Sequence, residues 1–165
     1  MWKRLKNSAP GYFQVQKMVR KNTEYNALGQ MTQYDEDQTS SDQSAVVKSV
    51  SWENGTYDLS GRLKGYRETS RSQGENLDRA ETLERADILY DDLGSMTENL
   101  ETFATSESPG LSVQSRWKRL LANGNGQPSS YQKNIVTFAE GNFCSERKRH
   151  TDRNSLRRFW QAQCL

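Results

Sequence analysis

Two cysteines and one histidine are all that this 165-residue chain offers of the residue types that most often bind transition metals or act as nucleophile and base. Cys144 and Cys164 form no disulfide framework and have no CxxC neighbour, so a reducing, cytoplasmic compartment is the expectation. His150 lies in a basic tail with no acidic or cysteine-rich ligand set around it, which argues against a zinc site and a His-based triad. Long hydrophobic runs are missing as well. No apolar stretch approaches the roughly 20 residues needed to cross a bilayer as a helix. No GxxxxGK[ST] phosphate loop occurs, and Gly124-Asn125-Gly126 is not followed by the rest of a dinucleotide fingerprint. The apolar supply is small: 33% of residues are hydrophobic and mean hydropathy is −1.00. An ordinary domain has roughly 45–50% on a count that also includes glycine. A large core is therefore not expected, and part of the chain should stay disordered or order only on a partner. These absences together predict a protein that is not an enzyme, with no cofactor, no metal and no small-molecule substrate. Asp87, Asp91 and Asp92 lie close in sequence, but they lack the carbonyls and turn glycine of a calcium loop.

What is abundant is charge, unevenly placed. Between Ser72 and Glu107 ten acids face two bases, Arg79 and Arg85, whereas the whole chain is at +2. In the same stretch Leu89, Leu93, Met96, Leu100 and Phe103 recur at alternating four- and three-residue spacing, which predicts one stripe of a long amphipathic helix. Leu77, Ala80, Leu83 and Ala86 continue the stripe upstream. Ser72 and Glu75 have the spacing of a capping box, Glu75–Arg79 and Glu81–Arg85 stand at i, i+4, and Pro109-Gly110 closes the run. Gly94 is the flaw in this helix, costing about 1 kcal/mol relative to alanine.

The flanks differ. Residues 1–23 hold six bases and no acid, which suits a basic arm with Lys3, Arg4 and Lys6 as phosphate or lipid contacts. Tyr12–Val19 reads as a short strand, and the polar segment Thr32–Ser44 as a linker or mobile loop. Next comes a β-hairpin signal: Val46, Val50 and Trp52 share a face, and Asn54-Gly55 suits a two-residue turn with Tyr57 and Leu59 returning. Asn54-Gly55-Thr56 also matches a glycosylation sequon, read here as turn chemistry. Ser112–Ala122 reads as a short basic helix, and its Trp117-Lys118-Arg119-Leu120 repeats Trp2-Lys3-Arg4-Leu5. Asn134–Ala139 reads as a strand, with Glu140-Gly141-Asn142 as a turn. In the tail, Arg147, Lys148 and Arg149 are further candidates for phosphate contact or a nuclear signal.

The expected fold is mainly α or small α+β, with one long central amphipathic helix, a β-hairpin before it and mobile ends. Its parts are a basic arm and linker at 1–44, the hairpin, central helix and short basic helix at 45–122, and a flexible break, strand and basic tail at 123–165.

Gln73-Gly74-Glu75-Asn76-Leu77-Asp78-Arg79-Ala80-Glu81, with Met96-Thr97-Glu98-Asn99-Leu100 further on, resembles the middle and C-terminal half of a SNARE motif. The anchor-less regulators tomosyn and amisyn and the synaptosome-associated Q-SNARE type are the nearest in kind. The resemblance spans about thirty residues and implies a helix that joins a parallel bundle and regulates vesicle fusion, with Gln73 as the central polar-layer residue. The expected function is protein–protein interaction through the acidic helix, by a helical protein partner or self-association. Its partner-binding residues would be Gln73, Leu77, Leu89, Leu93, Met96, Leu100 and Phe103. The alternative is a nucleic-acid-associated or virion-type structural protein using its basic ends, and an anionic membrane surface is a further partner of those ends.

Overall fold

Among the described residues ten strands in strict sequence order, each antiparallel to the next, form a single meandering sheet. The computed structural model describes residues 15–139 in full and, at 142–152 and 155–159, the backbone. The strands are β1 Gln16–Tyr25, β2 Met31–Ser40, β3 Val47–Tyr57, β4 Leu63–Gly74 and β5 Leu77–Tyr90. They continue with β6 Met96–Thr105, β7 Leu111–Ala122, β8 Pro128–Ala139, β9 Asn142–Asp152 and β10 Ser155–Phe159.

The sheet overturns the helical expectation. Ser72–Glu107 is the end of β4, all of β5 and β6, and the turns between them. Among the described residues there is no helix, and so neither an amphipathic helix nor a coiled coil. The stripe from Leu89 to Phe103 has helical spacing only because a hairpin turn interrupts two strands: Gly94, the supposed helix flaw, sits in that turn at φ +78°. Thr32–Ser44 is no linker but mostly β2, and Ser112–Ala122 is β7, not a helix. Asn54-Gly55 lies within β3 and turns no corner. Asn54 adopts φ +59° at a β-bulge, and the chain reverses four residues later, so Tyr57 ends β3 and Leu59 lies in the turn. The strand expected at Tyr12–Val19 overlaps β1, and Asn134–Ala139 falls inside β8. The tail expected to be mobile contributes β9 and β10, while Lys3, Arg4 and Lys6 lie outside the described residues. No helix of the described residues is long and apolar enough to cross a membrane.

A repeated corner shapes one end of the sheet. Asn26, Asp58, Asp91 and Asn123 each follow directly on an odd-numbered strand, 32 or 33 residues apart. In every case the side-chain oxygen accepts the N–H groups two and four residues on, at 2.8–3.0 Å. The N–H three residues on donates to the Asx carbonyl. That third residue is always glycine, at φ between +75° and +80° (Gly29, Gly61, Gly94 and Gly126). This is the three-residue hairpin loop, a type I turn closed by a glycine bulge. Asx is needed for the two accepted bonds, and glycine for the positive φ. Four residues before the first three of these corners, Asn22, Asn54 and Asp87 have positive φ at a break in pairing, so the bulge repeats too.

The core is thin because the described residues form no second layer. Among the described residues, contacts between elements join only consecutive strands. The buried apolar side chains are Val50, Trp52 and Ile88, alongside buried Glu36, Ser70, Asn99 and Ser115. Register puts Glu36, Val50 and Ser70 in one cross-strand row, so one face of the sheet is packed and the other open. Among the described residues the low apolar content goes with a sheet that covers itself with long polar side chains.

Candidate interaction surface

On the packed face, strands β1 to β4 carry an aromatic stack. Tyr34 lies opposite Trp52 with ring centroids 5.6 Å apart, and Trp52 stacks on Tyr66 at 5.5 Å. Arg20 caps the row, its guanidinium 3.8 Å from the Tyr34 ring centre and its ion pair to Glu36 at 2.8 Å. Trp52 is 6% exposed, and a Cβ at Gly55 would come within 2.4 Å of its ring, so the glycine makes room for the indole. This stack is a structural spine, since its central ring is closed to a ligand. Burial raises the phenol pKa of Tyr34 and Tyr66. Burial pushes the Glu36 carboxyl upward, but hydrogen bonds from Gln38 and Arg20 outweigh it and hold the pKa below the ordinary value.

The open face is a lattice of opposite charges on neighbouring strands. Lys21 pairs with Asp37 at 2.8 Å, Arg71 with Asp78 at 2.6 Å and Arg116 with Glu98 at 2.7 Å. The first two are exposed, Glu98 in the third is half-buried, and each exposed pair contributes at most about 1 kcal/mol. Together they fix register, because a slip of one residue would bring each charge to the wrong face.

The repeated corners are tied to one another. Tyr57 Oη donates to the Met31 carbonyl at 2.6 Å, and Tyr90 Oη repeats the bond one unit on, to Leu63 at 2.8 Å. Arg62 Nη1 donates to the Asp91 carbonyl at 3.0 Å. In the fourth unit Ala122 stands where the tyrosine would be. Arg119 makes the tie instead, donating to Gly126 O at 3.2 Å and pairing with Asp91 at 2.5 Å. That Arg119 bond, with the N–H groups of Ser95 and Leu93, holds the Asp91 carboxyl below the usual range. The Arg62 N–H is the main cause of the same shift at Asp58.

No family model, curated protein or solved structure matches this chain.

The residues expected to form one helical binding stripe are dispersed. Gln73 is exposed on β4, and Leu77 opens β5. Leu89 lies near the end of β5, Leu93 is 83% exposed in the third corner, and Met96 opens β6. Leu100 and Phe103, both on β6, differ by an odd number of positions and so face opposite sides. No single partner helix could touch all of them along one stripe. The segments quoted for the SNARE resemblance fold as β4, β5 and β6, without the helix that it implies. Arg147, Lys148 and Arg149 fall together on β9, in register with Ile135, Asn134 and Lys133 of β8. Among the described residues no group of three or more His, Cys, Asp or Glu could hold a metal ion.

Sequence reading missed the corners. Their signal was Tyr25-Asn26…Gly29, Tyr57-Asp58…Gly61 and Tyr90-Asp91…Gly94, a recurrence at fixed period that marks a repeat protein.

Proposed function

We propose that this chain is a non-enzymatic interaction scaffold of the cytoplasm, a repeat-built antiparallel sheet that binds a macromolecular partner across its surface. The observation that carries this reading is the fourfold recurrence of the Asx-x-x-Gly corner with its ties between units. Arrays of this kind contact only their neighbours and use extended surfaces for recognition in place of pockets. The charge lattice supplies specificity, since a partner must match alternating signs from strand to strand. Cysteine usage supports the compartment. Binding through a helix forms no part of the reading.

The test is an internal excision. Removing residues 58–90 joins Tyr57 directly to Asp91 and keeps the frame of the corners. A repeat scaffold keeps a β-sheet circular dichroism spectrum and a cooperative melt at reduced stability. A chain whose fold depends on one non-repeating centre loses both, and that result would overturn the proposal.

A further inference from the structure

The C-terminal strands carry a pattern that the rest of the sheet avoids. In the row Asn99–Trp117–Lys133–Arg149–Arg158, running from β6 to β10, three cationic residues occupy consecutive cross-strand positions. The neighbouring row places His150 between Gln132 and Arg157. Like charges directly opposite each other destabilise a sheet. The acids after residue 110 are Glu140, Glu146 and Asp152. In the register Glu146 stands opposite Val136 and Asp152 opposite Ser155. Among the described residues no carboxylate pairs with Lys133. On the packed face the half-buried ring of Trp117, itself in this row, lies 6.0 Å from that of Tyr131 and tilted to it.

We infer that the β7–β10 end of this face binds single-stranded nucleic acid. Phosphates would neutralise the row at Lys133, Arg149 and Arg158, and a base would stack on the Trp117–Tyr131 pair. Cations beside aromatic rings on a sheet face are the combination that single strands require: charge tracks the backbone, and every base has a face to stack. The aromatic pair favours this ligand over an anionic lipid surface, which needs the charge alone. The inference rests on the scaffold reading only in taking the sheet face as a binding surface. Failure to bind nucleic acid leaves the repeat architecture, and its excision test, untouched.

The experiment uses full-length protein and a labelled oligothymidylate, titrated by fluorescence anisotropy at several salt concentrations. Affinity should fall with salt, log K against log[salt] having a slope of about −0.7 for each phosphate neutralised, hence about −2 for three. Lys133→Glu should weaken binding and make the slope shallower, and Arg149→Glu should do the same. Trp117→Ala should lose roughly five- to a hundredfold in affinity, while Trp117→Phe, which keeps a ring, should stay near wild type. Lys64→Glu, on β4 and distant in the strand order, should change nothing. Circular dichroism of each variant establishes that it is folded, and Lys133→Glu is expected to fold at least as well as wild type because it relieves repulsion. Absence of binding at low salt would overturn the inference. So would binding indifferent to both Trp117 and Lys133, or equal binding to phosphatidylserine vesicles with no effect of Trp117→Ala.

Discussion

Strands β1 to β6 and strands β7 to β10 share one antiparallel geometry, while residues 15–110 and 111–165 carry opposite net charge. The first part holds ten bases and eighteen acids, the second ten bases and three acids. Across β1 to β6 the register sets Arg20 against Glu36, Lys21 against Asp35, Arg67 against Glu84 and Arg85 against Glu101. Across β8 to β10 it sets Lys133 against Arg149 and Arg149 against Arg158. The comparison teaches what a single-layer sheet without a large core must do. Where acids are supplied, complementary charge joins β1 to β2 and each strand from β3 to β6 to the next, while the Tyr34–Trp52 stack joins β2 to β3. Where they are withheld, the register sets cation opposite cation, the pattern on which the proposed single-strand site rests.

The largest expected difference lies in the aromatic residues. Trp52 is buried between two rings, so Trp52→Ala should cost about 3–5 kcal/mol in thermal or urea unfolding. Trp117, half-buried with a single ring partner, should cost less than half as much. Equal losses would mean that the C-terminal strands have a spine of their own. Gly55→Ala, which drives a methyl into the Trp52 ring, should resemble Trp52→Ala in direction.

Reversing one charge in each part should give opposite signs. Glu36 is buried and accepts bonds from Arg20 and Gln38, so Glu36→Lys should destabilise by about 1–3 kcal/mol. Lys133→Glu should stabilise the unliganded protein by about 0.2–1 kcal/mol, because a carboxylate then meets a cation across the ladder. Destabilisation in both would break the comparison.

Much of the charge asymmetry was legible in the sequence, and much of the fold was not. The acid excess of Ser72–Glu107, the basic tail and the shared face of Val50 and Trp52 all reappear in the structure. The strands at β1, β3 and β8 were partly visible. The central strands were hidden because both faces of β5 carry charge, as Glu81 and Arg85 do on one side and Asp78 and Glu84 on the other. The two-residue alternation that reveals a half-buried strand is then lost. Leu89, Leu93, Met96 and Leu100 imitated a helix across a corner. Gly94 was the warning, and its equivalents Gly29, Gly61 and Gly126 at matching positions would have turned one anomaly into a period. The surface at Trp117, Tyr131 and Lys133 required register, which brings together residues from two strands, β7 and β8.

Smaller effects test the ties between units. Tyr57→Phe removes the hydroxyl bond to Met31 and should cost about 0.5–1.5 kcal/mol. Ala122→Tyr, at the position where the fourth unit lacks the ring, has no such bond to lose. The smallest effect is that of pH. Asp58 and Asp91 have folded pKa values lowered, Asp58 chiefly by the Arg62 N–H and Asp91 chiefly by the Arg119 guanidinium with the corner N–H groups, so their contribution is present above the ordinary carboxylate value of about 3.9. It is lost as pH falls through the lower folded value. Asp58→Asn and Asp91→Asn keep the acceptor oxygen that Asn26 and Asn123 already provide, and should flatten the acid limb of the stability profile.

Strand-resolved amide hydrogen exchange as a function of salt tests the central claim most directly. Raising salt from about 0.1 M to about 1 M shortens the Debye length from roughly 10 Å to 3 Å and screens attraction and repulsion alike. Protection in β8 and β9 should rise as repulsion among Lys133, Arg149 and Arg158 is screened, while protection in β1 and β2 should fall as Arg20–Glu36 and Lys21–Asp37 weaken. The same direction of change at both ends of the sheet would contradict the account.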